Sequence, residues 1–178
     1  METITVKDRQ FYLSIPEANI LKEVARVAKE IERDMVGKDV VFVSVLNGAF
    51  MFTADLLKCI EMPCEVQFTR VASYEGTQTT GKVKELIGLN IDLRGRSVII
   101  VEDIIDSGIT MQHLIETMKR AGVADLRVAA LLVKHDNLQV PVQIDYECLS
   151  IPNDFIVGYG LDYDGFGRNL RNIYTVVA

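Results

Sequence analysis

Three carboxylates stand at the end of one apolar run. In "SVIIVEDIIDSGITM", Ser97 to Met111, the run Val98 to Val101 is followed by Glu102 and Asp103, then by Asp106 within Asp-Ser-Gly-Ile-Thr. Such a run suits a strand buried on both faces of a parallel sheet. Acids beside it need partners, because unpaired buried charge is very costly. If the strand continues through them, Glu102 and Asp103 point to opposite sides. A divalent cation and sugar hydroxyls are two partners that carboxylates suit. Ser107, Gly108, Ile109 and Thr110 then lead into a helix. Gly108 permits a tight turn, the helix head presents amides, and Ser107 and Thr110 add hydroxyl donors, which together make an anion site. Helix capping by Asp106 or Ser107 is the plainer reading of that turn taken alone. Joined to the acidic pair, a phosphate cradle beside a diol-binding carboxylate pair accounts for more of the stretch. A ligand with a phosphate at one end and hydroxyls nearby is a sugar phosphate.

The elements that must hold these residues are legible in the hydrophobic pattern. "SIPE", Ser14 to Glu17, has capping-box spacing with a proline in the first turn. Ile20, Leu21, Val24, Val27, Ala28, Ile31 and Met35 then mark one helical face, and Gly37 suits its stop. "DVVFVSVL" reads as a buried strand, "NGAFMFTADLLKCI" as a helix and "EVQFTRVASY" as a second strand. The opening stretch supplies a third strand, "TMQHLIETMKRAG" a helix, and "LRVAALLV" a fourth strand. Apolar strands alternating with amphipathic helices indicate an α/β fold, a parallel twisted sheet with helices on both faces. After Val133 the pattern changes to the short strand candidates "QIDYECLS", "DFIVGYGL" and "IYTVVA". This tail is too small for its own core and is expected to form a hood over the sheet with the first residues of the chain. The expected organisation is one domain, with a core over roughly residues 16–133 and a hood from residues 1–15 and 134–178.

Ligands of open parallel sheets bind beyond the C-terminal ends of the strands. Besides the third strand, the first ends in Leu46-Asn47-Gly48 and the fourth meets Lys134. Chance could place one charge at a strand end, but several adjacent loaded ends point to a site.

Composition narrows the classes. The 178 residues are 49% hydrophobic and 25% charged, with net charge −6 and pI about 5.0. An acidic chain without a basic block is a poor nucleic-acid binder. Three cysteines without C-x-x-C spacing and two histidines do not form a disulfide framework or a zinc motif. No stretch approaches the ~20 apolar residues of a membrane span, and the N-terminus lacks a signal segment, so a cytoplasmic location is expected. "GTQTTGKV", Gly76 to Val83, nearly matches a P-loop, but Val83 stands where Ser or Thr would bind magnesium. His113 reads as a surface or satisfied residue, and His135, which follows Lys134, is assigned no role in the site.

"VIIVEDIIDSGITM" resembles the phosphoribosyl diphosphate signature of type I phosphoribosyltransferases, and the "EDIIDSG-T" form is similar to the 6-oxopurine members of that family. The resemblance extends along the chain in order. "SVLNGAF" looks like the first diphosphate loop, "VASYEG" like a mobile catalytic loop, "LLVKHD" like the purine-reading lysine segment, and "DFIVGYGLDYDGFGRNL" like the hood. It implies an enzyme that joins a 6-oxopurine base to phosphoribosyl diphosphate. Glu102 and Asp103 would hold the ribose 2- and 3-hydroxyls, directly or with magnesium. Residues Asp106, Ser107, Gly108, Ile109 and Thr110 would hold the 5-phosphate, and Asp106 would also face purine N7 as general acid/base. Lys134 would donate to the 6-oxo group, Phe155 would stack on the base, and the backbone at Ile156 and Val157 would meet its Watson–Crick edge. Asp162 would stand at the purine and help hold a second magnesium. Asn47, Gly48, Ser73, Tyr74 and Arg168 would bind diphosphate, the Asn47–Gly48 peptide in the family often being cis. Relatives frequently carry Lys or Arg where this chain has Asn47, which leaves that contact to the backbone. They carry Lys or Asn where it has Ile109. The resemblance also implies a homodimer or homotetramer.

Two readings from other classes stand beside it. One is a phosphoribosyl-diphosphate-sensing regulator on the same fold that binds RNA or DNA, which the acidic charge disfavours. The other is a receiver-type signalling domain, which requires an acidic pair after its first strand, where this chain has Leu46-Asn47-Gly48.

Overall fold

The chain opens on a hairpin, β1 (Thr3–Val6) and β2 (Arg9–Ile15), followed by α1 (Glu17–Met35). Then come β3 (Val40–Leu46), α2 (Phe50–Lys58), β4 (Cys64–Ser73) and β5 (Val83–Ile87). The second half holds β6 (Ser97–Ile105), α3 (Ile109–Arg120), β7 (Asp125–Val133), a short 3₁₀ turn (His135–Asn137), β8 (Tyr146–Ser150), β9 (Ile156–Val157) and β10 (Ile173–Val176). The structure, a computed structural model, describes residues 3–73 and 83–177. Tyr74 and the near P-loop before Val83 lie outside the described residues.

Six strands form the main sheet in the order β5-β4-β3-β6-β7-β8. The five from β4 to β8 are parallel, and β5 pairs antiparallel at the edge. Alternation divides the core between two layers. Val40 and Phe42 of β3, with Ile99 and Val101 of β6, face the α1 and α2 side, where Ile20, Val24, Ile31, Phe52 and Leu56 are fully or almost fully buried. Val41 and Val43, with Val98 and Ile100, face α3 through Met111, Leu114 and Met118. Each such side chain contributes about 1.5–3 kcal/mol on leaving water, so the central strands are fixed from both faces. The expected α/β sheet with helices on both faces is the one observed.

A second, smaller sheet, β1-β2-β10-β9, joins the N-terminal hairpin to the C-terminal segment. It buries Val6, Phe11, Val157 and Tyr174 in a cluster of its own.

Two local expectations are corrected. Ser14 does not cap α1. It lies in β2, where its hydroxyl donates to the Ile173 carbonyl at 3.0 Å. Pro16 is the N-cap, and the cap oxygen comes from the far end of the chain, with the Glu17 amide donating to Asn172 Oδ1 at 2.7 Å. The segment after Val133 is not all hood: β8 extends the main sheet parallel to β7, pairing Ala129 with Tyr146 and Leu132 with Leu149. Its burial pattern follows from that place, Tyr146 and Cys148 reaching into the α1 layer.

Candidate functional site

The phosphate-type loop follows β6. Gly108 adopts φ +82° as the N-cap of α3 and has no side-chain cap. A Cβ there would meet Val142 Cγ2 at 2.8 Å, so both the backbone angle and the packing require glycine. The loop and helix head, with Glu102, Ile104, Ile105, Asp106, Ser107, Gly108, Thr110 and Met111, line a small cavity of about 60 Å³. The first amides of α3 have no partner within the helix, apart from a 3.4 Å contact of the Ile109 amide with Ser107 Oγ. The plainer reading of Asp106 as a helix cap does not hold. Its carboxylate turns away from the helix to Lys134 and Asn137.

The Asp103 amide donates to Glu102 Oε1 at 3.1 Å. Glu102 is buried. Desolvation, reinforced by the neighbouring Asp103 charge, holds its carboxyl well above the usual range. Burial raises Asp103 too, against the hydrogen bond from Glu102 and the attraction of Arg168. Asp103 Oδ1 accepts the Ile104 amide at 2.8 Å, and its other oxygen presses on Gly48, where a Cβ would lie only 1.6 Å away. Gly48 in turn touches the second sheet's loop, since a Cβ on Gly160 would stand 2.1 Å from the Gly48 carbonyl. The turn after β3, the C-terminal part of β6 and the loop after β9 therefore meet at one point. Of the two peptides on either side of Asn47, the cis one is Leu46–Asn47.

Arg168 links the hood to the acids. Its guanidinium donates to the Gly160 carbonyl at 2.7 Å and pairs with Asp162 at 2.9 Å. Asp162 also accepts the Gly165 amide at 2.7 Å. Among the described residues, no three His, Cys, Asp or Glu side chains form a metal cluster, so Glu102, Asp103 and Asp162 are not gathered around one point.

At the end of β7, Lys134 is buried, and its ammonium lies 3.3 Å from Asp106 Oδ2 and 3.4 Å from Asn153 Oδ1. The Lys134 amide donates to the Ile105 carbonyl at 3.0 Å, which fixes the two strand ends side by side. Phe155 is 41% exposed, an aromatic face open to a partner. Tyr163 meets it edge-on, with ring centroids 5.7 Å apart, and the Arg9 guanidinium lies 5.8 Å from its centroid. The next residues, Ile156 and Val157, are buried and pair with β10. Ser73 is the last residue of β4, and Tyr74 lies outside the described residues. His135 is an exposed partner of Glu147 at 2.9 Å, not a member of the cluster, and His113 lies within α3.

The sequence reading missed three contributors. Asn137 and Asn153 touch Asp106 and Lys134, and Arg9 backs Phe155 and Tyr163. Asn137 and Asn153 lie in irregular segments and Arg9 opens β2 far from the loaded strand ends in sequence, so only the folded register reveals them.

Comparison with known proteins accords with this geometry. Residues 14–164 match the phosphoribosyl transferase domain family. The hypoxanthine-guanine phosphoribosyltransferase of Mycobacterium tuberculosis is 39% identical over 164 residues, spanning 88% of this chain and 81% of that protein. The Streptococcus thermophilus protein of the same name is 38% identical over 155 residues, 86% of each. Among solved structures, a Bacillus anthracis hypoxanthine-guanine phosphoribosyltransferase superposes with a TM-score of 0.87 at 37% identity, covering 94% of this chain and 97% of that one. A Staphylococcus aureus hypoxanthine phosphoribosyltransferase gives a TM-score of 0.89 at 32% identity, covering 93% and 91%. The chain belongs to the phosphoribosyltransferase family of pentosyl-transferring enzymes, in its hypoxanthine-guanine group.

Proposed function

We propose that the protein transfers the 5-phosphoribosyl group of 5-phosphoribosyl 1-diphosphate to N9 of hypoxanthine or guanine, giving IMP or GMP and diphosphate, with xanthine as a third base to assay. The observation that carries this reading is the Lys134–Asp106 contact of 3.3 Å across two adjacent strand ends. N7 and O6 are neighbours on a 6-oxopurine. A donor-only ammonium at O6 and a proton-exchanging carboxyl at N7 read that edge together, and the ammonium disfavours a 6-amino base. Phe155 offers its exposed face to the ring, and the Ile156–Val157 backbone with Asp162 borders the base. The loop from Asp106 to Thr110 takes the 5-phosphate. Asn47, Gly48, Ser73, Tyr74 and Arg168 take the diphosphate, Asn47 and Gly48 through their backbone.

Departure of diphosphate leaves cationic character on the ribose, which Glu102 and Asp103 stabilise while Arg168 receives leaving charge. Asp106 exchanges a proton at N7 as N9 attacks. The buried acid pair also fits a magnesium ion, which uses one or two carboxylates and completes its shell with substrate oxygens. Such an ion would neutralise Glu102 and Asp103 at the ribose, and a second would be held with the help of Asp162 at the diphosphate. The same reading includes a homodimer or homotetramer, a cytoplasmic enzyme, and one catalytic domain whose hood closes over the strand ends.

The test supplies phosphoribosyl diphosphate and magnesium with hypoxanthine, guanine, xanthine and adenine in separate assays and quantifies nucleotide. Adenine as best substrate would overturn the role of Lys134. Asp106→Asn should slow turnover by ~10²–10⁴, the span of general acid/base catalysis, and unchanged turnover would remove Asp106 from the mechanism.

A further inference from the structure

The segments on either side of β8 close a ring of four side chains that includes the base-reading pair. Asn137 Nδ2 donates to Asp106 Oδ1. Lys134 Nζ donates to Asp106 Oδ2 at 3.3 Å and to Asn153 Oδ1 at 3.4 Å. Asn153 Nδ2 completes the ring on Asn137 Oδ1 at 3.5 Å. Every link runs from donor to acceptor. Flipping Asn137 would turn its carbonyl to a carboxylate, and flipping Asn153 would turn its amide group to an ammonium. One orientation of both amides therefore satisfies the ring.

The backbone around the ring is fixed as well. The Asn137 amide donates to the Lys134 carbonyl at 3.0 Å, and the Gln139 amide donates to the Ser107 carbonyl at 2.9 Å. Val142, Leu138 and Val140 pack on Gly108. The Ile151 amide donates to the Val133 carbonyl at 3.0 Å and the Asp154 amide to the Pro152 carbonyl at 2.9 Å, which sets the turn carrying Asn153. The linker thus reaches Asp106, Ser107 and Gly108 in succession.

The Asp106 side chain is 45% exposed and that of Lys134 only 9%. A carboxylate half in water is free to rotate unless both oxygens are held, and a buried ammonium needs acceptors on more than one side. We propose that Asn137 and Asn153 are positioning residues for the reaction. Asn137 fixes the plane of the Asp106 carboxylate at N7, and Asn153 holds the Lys134 ammonium toward O6. The assignment rests on the roles proposed above for Asp106 and Lys134.

The experiment uses the full chain with hypoxanthine, phosphoribosyl diphosphate and magnesium. Asn137→Ala should lower kcat by about tenfold to a hundredfold, the scale of a hydrogen bond to a charged group, with KM for phosphoribosyl diphosphate within about twofold. Asn153→Ala should instead raise KM for the base by about tenfold on the same scale. Asn137→Gln, which keeps the amide, should recover part of the lost kcat. In an Asp106→Asn background, Asn137→Ala should have little further effect, because residues acting through one group are non-additive. Thermal melts accompany each variant. The assignment is overturned if Asn137→Ala keeps wild-type kcat while Asp106→Asn loses it. It is also overturned if the Asn137→Ala loss persists undiminished in the Asp106→Asn background, or if both variants lower melting temperature without the split between kcat and KM. Wild-type turnover by Asp106→Asn would overturn the premise itself and is read from that single variant.

Discussion

Gly48 is the tightest point of the site, and one methyl group there tests the arrangement. A Cβ on Gly48 would lie 1.6 Å from Asp103 Oδ2 and 2.6 Å from its Cγ, about 1.8 Å short of the 3.4 Å at which ordinary contact begins for that oxygen. Asp103 is not free to yield, because its Oδ1 accepts the Ile104 amide at 2.8 Å. The loop has no room to retreat either, since Gly160 packs against the Gly48 carbonyl. Overpacking of this kind costs about 1–3 kcal/mol of stability. Displacement of a positioned group by ~1 Å can cost ~10²-fold in rate. Gly48→Ala should therefore lower kcat/KM for phosphoribosyl diphosphate by about a hundredfold or more, while the chain still folds. The assay is steady-state turnover at saturating base and magnesium, paired with a thermal melt. Gly95→Ala is the control. It sits at φ +72° with nothing within 4 Å of its Cβ, so it should lose stability by about 1 kcal/mol from the left-handed backbone and no activity. A Gly48→Ala enzyme within twofold of wild-type kcat/KM would refute the reading that the Asp103 carboxylate works against this loop.

The other predictions concern charge, base reading and capping. Burial and the adjacent Asp103 charge raise Glu102 above its ordinary value of 4.5 in the folded chain, so the folded state keeps that proton longer than the unfolded state. Stability should then be fullest below the ordinary value and fall as pH rises through the raised one. Glu102→Gln should flatten that slope in melts across pH while impairing turnover, and an unchanged slope would reject Glu102 as its source. Lys134→Met should raise KM for hypoxanthine by about tenfold to a hundredfold, since it removes a charged donor, and should narrow the preference over adenine. An undiminished preference would assign base choice to the hood. Asn172→Ala removes the acceptor of the Glu17 amide and should cost about 0.5–2 kcal/mol, the worth of a helix cap. An unaltered melting temperature would show that α1 needs no cap.

The parts of the molecule that were legible are those where a short pattern carries its own geometry. The run before Glu102 is buried on both faces because β6 lies between β3 and β7, and a strand in that place must be apolar throughout. The loop at Asp106 to Thr110 was readable because glycine before a helix has few alternatives, and Gly108 does adopt a positive φ. Legibility failed where partners come from far along the chain. Ser14 looked like a cap until Ile173, 159 residues away, took its hydroxyl. β8 was assigned to the hood because a parallel strand is usually announced by a preceding helix. Here an irregular linker with one 3₁₀ turn makes the crossover from β7 instead.

That same missing helix places Asn137. A helix between β7 and β8 would pack on a face of the sheet, as α3 does between β6 and β7, and would carry the chain away from the strand ends. The irregular linker stays at the ends of β6 and β7, bonded to Ser107 through the Gln139 amide and packed on Gly108. It therefore delivers Asn137 to Asp106, and β8 returns Asn153 to Lys134. What obscured the strand in the sequence is what completes the site in the fold. A chain that replaced this linker with a regular helix would keep Asp106 and Lys134 and lose the Asn137 amide proposed to orient the first of them.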